Sequence, residues 1–426
     1  MRLSYTPVNF ARYIVWGAFA LVLLAAPTIF TKGSALSILC QIGTIMIFGL
    51  SYNMLLGQGG MLSFGHAVYS GLGAFFAIHA MNHAGIGAQI PTTLIPLVGG
   101  FAGMAFGVLF GYVTTKKSGT TFAMITLGLV ELVFASSLMF PSFFGGEGGI
   151  TTNRVRGEAW RDITYGPQLE VYYLIAGWLF VTTIAMFAFT QTPLGRMVNA
   201  VRDNPERVEF IGYNTQWVRY LTLILSAFFA GISGGLSAIN FEIVSAENVS
   251  AIRSGAVLLF VFIGGIGFFF GPLLGAIVGV FFSVMLSDYT QAWQLYLGLF
   301  FILMVRYAPA GLASLILMLM RVASVGQFGR IWRPLLAVSV VSLIGLVGLV
   351  MGIEMLYHIT LESANGSVMT RFGYQIDTKT AGPWLVVAAL VFGALALYRK
   401  VQPRYYAVWS EVNAEIVAKQ RAGSAA

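Results

Sequence analysis

The sequence predicts an all-α integral membrane protein, in which a multi-span helical core with broken helices and an inverted repeat is followed by about two extra C-terminal spans. Three observations support this prediction. Hydrophobic residues make up 58% of the 426-residue chain, charged residues 9%, and the mean hydropathy is +0.82, which leaves too little polar surface to cover a soluble protein of this size. Apolar runs of about 20 residues, the length of a membrane span, recur along the chain. Most of the 24 Lys and Arg residues fall in the loops beside these runs.

The apolar runs give twelve predicted spans, some of them short because a helix that is broken inside protein needs fewer residues than a full crossing. Basic residues are typical of cytoplasmic loops, and Arg2 precedes the first span. Alternate crossing then puts both termini and the segments 114–119, 191–218 and 306–333 in the cytoplasm. The predicted spans are 13–31, 35–55, 66–82, 93–113, 120–140, 171–190, 219–240, 254–270, 272–287, 290–306, 334–353 and 382–399.

The chain changes character near residue 315. Residues 1–315 hold about ten spans and form the predicted core, whereas residues 316–426 hold a basic linker, two spans and a polar cytoplasmic tail, which we interpret as an extension. Glycine-rich breaks at 57–65 and 264–275 occupy comparable places in two halves of the core, as in an inverted repeat. The second break also predicts a tight hairpin between two spans, with Pro272 opening the second helix.

The segment 192–212 is the longest charged interruption in the first three quarters of the chain, yet it has a helical pattern. Thr192 and Pro193 are typical of an N-cap and a first helical position, and Asn204 and Pro205 repeat this signal. We expect two short capped amphipathic helices that dock onto something outside the bilayer. The alternative is a helix lying on anionic lipid, which the interleaved acids disfavour. The residues expected on the two apolar faces are Leu194, Met197, Val198 and Val201, then Val208 and Ile211, with Gly212 as a left-handed stop.

The segment 51–67, at the end of the second predicted span, contains four glycines in nine residues, mixed with polar side chains. This composition disfavours an uninterrupted lipid-facing helix, so we predict a break or a re-entrant turn. Backbone groups exposed at such a break can line an aqueous path. The alternative is that the glycines only permit close helix packing. The residues assigned to the path are Asn53, Gln58, Gly59, Gly60, Ser63 and His66.

Glu131 is the carboxylate that falls well inside a predicted span. An intramembrane acid is costly and marks a functional site by default, so Glu131 joins the candidate path. It is either a proton relay, which would make the chain a secondary transporter, or a structural glutamate that faces other helices. In the second case Thr120, Thr121 and Thr126 are available to supply its hydrogen bonds.

The sequence carries no motif for catalysis. It lacks a GxxxxGK[ST] phosphate loop, a nucleophile elbow and zinc-ligand spacing, and the single Cys40 excludes an internal disulfide framework. His79 and His83 are four residues apart but have no carboxylate nearby in the sequence. The net charge of +8 arises in loops beside spans, so nucleic acid is not an expected partner. We predict a non-enzyme with no catalytic residue, no metal and no cofactor of its own.

Four motifs occur in the order and spacing of one known family. They are residues 50–67 (LSYNMLLGQGGMLSFGHA), 200–205 (AVRDNP), 264–272 (GGIGFFFGP) and 306–312 (RYAPAGL). On these motifs the chain resembles the branched-chain amino acid permease family of bacterial ABC importers over about residues 30–315. Residues 144–149 keep only the glycines of the family's outer-loop pattern, and residues 316–426 have no counterpart that we recognise in the usual permease core.

The resemblance implies a permease core that works by alternating access with separate subunits in the bacterial inner membrane. These are a LivH-like second permease subunit, two ATPase subunits that bind ATP and Mg, and a periplasmic substrate-binding protein. Branched-chain or other hydrophobic amino acids are the implied substrates, with urea and short amides as the alternative. An ion-coupled transporter using Glu131 and a non-transporting scaffold are rivals from other classes. The residues expected to couple to an ATPase are Arg196, Val201, Arg202, Asp203, Asn204, Pro205, Arg207, Ile211 and Gly212.

Overall fold

The chain folds almost entirely into helices, and the all-α membrane fold is confirmed. The computed structural model describes residues 10–83, 90–156, 164–324, 326–361, 367–371 and 374–425. Arg2, on which the predicted orientation rests, lies outside the described residues. The chain divides into two compact units, Met1–Tyr289 with Trp293–Ser314, and Thr290–Ala292 with Leu315–Ala426. The assignment of these regions as a permease core and an extension stays a prediction.

The elements of the first unit are helical apart from one pair of two-residue strands. In order they are α1 (Phe10–Ile29), α2 (Gly33–Asn53), α3 (His66–His83), α4 (Ile95–Thr114), α5 (Gly119–Met139), α6 (Pro141–Phe144), β1 (Ile150–Thr151), α7 (Gln168–Gln191), α8 (Pro193–Asp203), α9 (Pro205–Phe210), α10 (Thr215–Phe241), β2 (Ile243–Val244), α11 (Ala251–Gly264), α12 (Gly271–Val280) and α13 (Trp293–Tyr307). Two π-helical segments, Met54–Gln58 and Phe281–Leu286, continue α2 and α12.

Length and composition identify the clearest membrane-spanning helices. Seven helices of the described chain are long and apolar enough, or eight if α13 and the helix after it form one bent span. Three further apolar helices of the described chain are shorter, at Ile14–Ile29, Ala251–Gly264 and Gly271–Leu286, so the total of twelve spans stays a prediction. Helix α11 has 14 residues, and α12 with its π-helical continuation also stays below the length of a full span. The predicted breaks in the helices are present, and the inverted repeat stays a prediction.

Helix α10 forms the centre of the first unit, with α3 and α4 packed against it. In its most apolar 18-residue window 89% of the residues are buried, compared with 33% in α5. Glycines allow this close packing, since a Cβ at Gly73 would lie 2.7 Å from the Gly231 Cα. A Cβ at Gly235 would lie 3.0 Å from the Pro96 Cα. The backbones of the three helices therefore approach to a distance that side chains would prevent.

The second unit is built on two long helices that pack along each other. They are α15 (Phe328–Leu361) and α16 (Ala381–Ala425), preceded by α14 (Leu312–Ser324) and joined through the antiparallel hairpin β3 (Val368–Arg371) and β4 (Tyr374–Asp377). Thr290 donates to the buried carboxylate of Glu354 at 2.6 Å. At another point Arg330 forms ion pairs with Glu411 and Glu415 of α16.

Candidate functional site

The two short capped helices predicted at 192–212 are present. The Thr192 hydroxyl accepts from the Gly195 amide at 3.1 Å at the start of α8, and the Asn204 side chain accepts from the Arg207 amide at 3.0 Å at the start of α9. Gly212 has φ of +90°, as expected of a left-handed stop. Each N-cap stabilises its helix by about 1 kcal/mol. The local sequence therefore sets where both helices begin, and the packing of Val198, Val201 and Val208 adds to their stability.

The apolar residues of α8 and α9 do not all lie where the pattern placed them. Val198, Val201 and Val208 are buried, whereas Ile211 is 66% exposed. The prediction that Ile211 shares a buried face with Val208 is wrong because α9 ends at Phe210 and the chain then turns. Phe210 is itself 89% exposed.

Exposed aromatic side chains surround the end of α9, and sequence reasoning missed them. Besides Phe210 and Ile211, Tyr213 is 51% and Trp217 53% exposed. The available signal was the recurrence of Phe210, Tyr213 and Trp217 at helical spacing within the predicted cytoplasmic segment 191–218. A patch of this kind on the surface of a folded unit is typical of a contact site for another protein.

The predicted break at 57–65 is present, and α8 lies against it. Helix α2 widens into its π-helical segment, and the Met61 amide then donates back to the Leu55 carbonyl at 3.0 Å. Gly60 has φ of +64°. The Arg202 guanidinium donates to the Gly57 carbonyl with an N–O distance of 2.6 Å. A cation at a helix C-terminus also compensates the negative end of the helix dipole.

A second contact joins α8 to the break. A Cβ at Gly59 would lie 3.4 Å from the Val198 Cγ1, and one at Gly60 would lie 2.8 Å from the Arg202 Cγ. The two glycines thus let the α8 side chains reach the backbone. Asp203 accepts from Arg202 at 2.9 Å, although both side chains are substantially exposed. This ion pair is consequently worth little by itself and mainly orients the guanidinium.

The break also lies against the turn between α11 and α12. A Cβ at Gly57 would come within 2.6 Å of the Ile266 carbonyl oxygen, and the Asn53 amide donates to the Phe268 carbonyl at 3.5 Å. Gly265 has φ of +113°, and a Cβ there would lie 2.5 Å from the Ala310 carbonyl oxygen. We call residues 57–60, 264–271 and 308–311 the glycine junction. Three regions distant in sequence therefore meet at one place, beside α8.

The polar residues assigned to a path lie mostly inside the first unit. Asn53, Ser63 and His66 are at most 2% exposed. The His66 Nε2 is 3.1 Å from the Ser51 hydroxyl, and its ring stacks on Phe48 with centroids 5.5 Å apart. In the described part of the chain the Asn53 Oδ1 and the His66 Nδ1 are buried without a hydrogen-bond partner, and the assignment of these three residues to a path stays a prediction. Among the assigned residues Gln58 is partly exposed and Gly60 is exposed.

Glu131 does not face other helices of this chain. It is exposed on α5, and Thr126, which we expected to bond to it, instead donates to the Ala123 carbonyl and accepts from the Phe64 amide. Thr120 and Thr121 are also exposed. The alternative of a structural glutamate that faces other helices of this chain and is hydrogen-bonded by these threonines is therefore wrong, and the proton-relay alternative stays untested. Residue 131 lies on the face of α5 opposite to Val130 and Val133, which pack into the core.

A polar cavity of about 520 Å³ lies beside α9. Its lining carries both signs of charge. The residues are Lys116, Ser118, Pro205, Glu206, Glu209, Asn214, Thr215, Gln216 and Arg219. Within the described residues no group of three or more His, Cys, Asp or Glu side chains is arranged to hold a metal ion. The region around α8 and α9 thus offers an exposed aromatic patch, a mixed-charge cavity and a direct contact to the glycine junction.

Comparisons with known proteins address the family of the chain. A family model described as "Branched-chain amino acid transport system / permease component" matches residues 34–308. The high-affinity branched-chain amino acid transport system permease protein LivM of Salmonella typhimurium is 27% identical over 316 residues, 69% of this chain and 73% of the relative. LivM of Escherichia coli is 27% identical over 288 residues, 63% of this chain and 67% of the relative.

A more distant relative is named for a different substrate. The fructose import permease protein FrcC of Rhizobium meliloti is 25% identical over 207 residues, 44% of this chain and 54% of the relative. No solved structure matches the chain. The matched residues 34–308 include α8, α9 and the glycine junction apart from residues 309–311.

Proposed function

Because the chain belongs to the family of branched-chain amino acid transport system permease components, and is LivM-like within it, we propose that it is the permease subunit of an ATP-driven importer of branched-chain or other hydrophobic amino acids. Its relatives are transport permeases, which is consistent with a non-enzyme. ATP hydrolysis takes place on separate ATPase subunits. The observation that carries the proposal is the contact between Arg202 of α8 and the Gly57 carbonyl of the glycine junction.

The exposed patch around α9 is the surface that receives the ATPase. Phe210, Ile211 and Tyr213 are large, apolar and exposed in a segment bounded by charged residues. Buried aromatic anchors surrounded by polar groups are typical of protein interfaces. The mixed signs of Glu206, Arg207 and Glu209 suit a protein groove better than an anionic lipid surface.

Displacement of α8 by an ATPase reaches the membrane-spanning helices through the glycine junction. Arg202 and Val198 contact the end of α2, and the same break contacts the turn between α11 and α12. Helices α8 and α9 are each capped at the first turn, so they move as ordered elements. The backbone at the glycines of the junction, by contrast, accepts a change of direction. The expected result is a two-state switch between inward- and outward-open forms.

The substrate class rests on the family and on the LivM relatives. Leucine, isoleucine and valine are the first candidates, with urea and short amides as the alternative from the sequence motifs. The relative named as a fructose permease makes fructose a necessary comparison. Selectivity in this proposal belongs mainly to a periplasmic binding protein.

The test is ATP-driven uptake into proteoliposomes that hold this chain, a LivH-like permease and two ATPase subunits, with the binding protein outside. Leucine uptake that needs ATP and exceeds uptake of urea, acetamide and fructose is the expected result. Uptake of leucine by the chain alone, driven by a proton or sodium gradient, would instead establish the rival secondary transporter. Hydrolysis without uptake of any of these solutes would overturn the substrate proposal.

Location and orientation form part of the same proposal. The apolar helices make the chain a multi-pass membrane protein, and its bacterial relatives support the inner membrane. Both termini and the segment 191–218 are proposed to face the cytoplasm. The test is Arg207→Cys with a membrane-impermeant maleimide. We expect this cysteine to be labelled in inside-out vesicles but not in right-side-out vesicles.

A further inference from the structure

Helix α5 has one face that packs into the first unit and one that does not. The buried face carries Phe122, Ala123, Thr126, Val130, Val133 and Ser137. On the opposite face Met124 is 67% and Leu132 60% exposed, and a Cβ at Gly128 would meet nothing within 4 Å. Both faces are apolar, so the second is not built for water.

Glu131 lies on this exposed face, well inside the helix. It is the thirteenth of 21 residues in α5, so the rise of 1.5 Å per residue places it about 18 Å from the start of a helix about 30 Å long. That depth corresponds to the interior of a hydrocarbon layer about 30 Å thick. A carboxylate at this depth is costly against lipid and normally faces protein or a polar cavity.

No group in the described part of the chain meets this carboxylate. Glu131 has neither a hydrogen bond nor an ion pair there, and its neighbours on the same face, Gly128 and Leu132, offer no donor side chain. A donor for this carboxylate must therefore come from outside the described residues of the first unit. Since lipid tails have no donors, a side chain of another membrane-spanning helix is the partner that suits this depth.

We propose that the exposed face of α5, carrying Met124, Gly128, Glu131 and Leu132, packs against a transmembrane helix of the second permease subunit. That helix presents a hydrogen-bond donor or a cation to Glu131. The inference rests on the proposed function, which supplies the second permease subunit. ATPase subunits and a soluble binding protein do not reach this depth, so they are not candidates for the contact.

A second copy of this chain is a less suitable occupant. A two-fold contact through this face uses the same patch on both copies, and near the axis it brings two Glu131 carboxylates together. Like charges at an interface oppose association. A different subunit that carries a donor removes this conflict, and Gly128 gives its helix room to approach.

The first test is site-directed photo-crosslinking in membranes of the native host. In a Cys40→Ala background, Leu132→Cys on α5 is labelled with a maleimide that carries benzophenone. Leu109→Cys on α4 is the matched control, because Leu109 and Leu132 are 61% and 60% exposed. The expected product, several-fold stronger from position 132, joins this chain to a second membrane-spanning permease identified by mass spectrometry.

Three outcomes overturn the inference. These are a product that joins two copies of this chain, a product with lipid alone, and equal yields from positions 109 and 132. ATP-driven uptake is measured on the same unsubstituted complex. If uptake is normal while position 132 yields no permease product, the inference fails and the proposed function stands. If no second permease or ATPase accompanies the chain and no ATP-driven uptake occurs, the proposed function itself fails.

The second test concerns the carboxylate. Glu131→Leu should lower recovery of the complex with the second permease about 3- to 18-fold, the range for one interhelical hydrogen bond in a membrane. Glu131→Gln keeps an acceptor of the same shape and should retain more of the complex. Leu109→Ala on α4 is the control. Unchanged recovery with Glu131→Leu would contradict the role of the carboxylate.

Discussion

Removal of the Arg202 side chain should loosen the contact between α8 and the glycine junction by about 1–2 kcal/mol. A hydrogen bond from a charged donor contributes about 1.5–3 kcal/mol when well shielded. The Arg202 side chain is 39% exposed and its partner Asp203 is 67% exposed, so the lower part of that range applies and the ion pair adds little. At about 1.4 kcal/mol for each factor of ten, Arg202→Ala should shift the equilibrium between the closed and the open contact about 5- to 30-fold toward the open one.

Hydrogen exchange of the purified chain measures this opening without any ATPase. The amides of Gly59, Gly60 and Met61 donate to carbonyls of Leu55 and Leu56, and their exchange reports opening of the break. Arg202→Ala should speed their exchange about 5- to 30-fold, by the same conversion.

Arg196→Ala is the matched control for this measurement. Arg196 lies on the same helix and is exposed, and its side chain makes no hydrogen bond in the described part of the chain. Exchange at the break should therefore stay as in the unsubstituted chain. If Arg202→Ala leaves the exchange unchanged, or if Arg196→Ala speeds it equally, the contact with Gly57 does not hold the break closed.

The remaining predictions concern the junction and the two short helices. Gly265→Ala should lower the stability by about 3 kcal/mol because φ is +113° and the Ala310 carbonyl is close; Gly267→Ala, with open space, should change Tm little. Asn204→Ala should speed hydrogen exchange at the Arg207 amide about fivefold, because it removes an N-cap worth about 1 kcal/mol. Phe210→Ser should leave Tm unchanged but weaken ATPase binding about tenfold or more, whereas Val208→Ser should lower Tm. The double variant Arg202→Glu, Asp203→Arg should insert into the membrane normally yet uncouple ATP hydrolysis from uptake. Normal coupling would count against docking of an ATPase at this segment.

Local features were readable from the sequence because they depend on residues close together in the chain. The N-caps at Thr192 and Asn204 are one example, since a cap is formed by a side chain and an amide three residues away. The breaks at 57–65 and 264–275 are another, because glycine-rich runs disfavour a continuous helix wherever they occur. The ordered motifs likewise indicated the family that the comparisons then confirmed.

Features that depend on which neighbour a residue meets were not readable. Hydropathy treats a residue facing lipid and one facing a helix alike, so it left open which face of α5 packs into the core. The same limit applies to Glu131, whose two interpretations the sequence left open and which is exposed on α5, and to His66, whose burial the sequence did not show.

The sequence by itself thus determined that the chain is a helical membrane protein, where its backbone breaks and where two capped helices interrupt its spans. Only the tertiary structure decided that Arg202 reaches Gly57, that the same break meets the turn after α11, and that Glu131 lies on an unpartnered face. The physical reason is range. Helix caps and hydropathy are set by residues within one or two turns, whereas the Arg202–Gly57 contact joins residues 145 positions apart and exists only once the helices have packed.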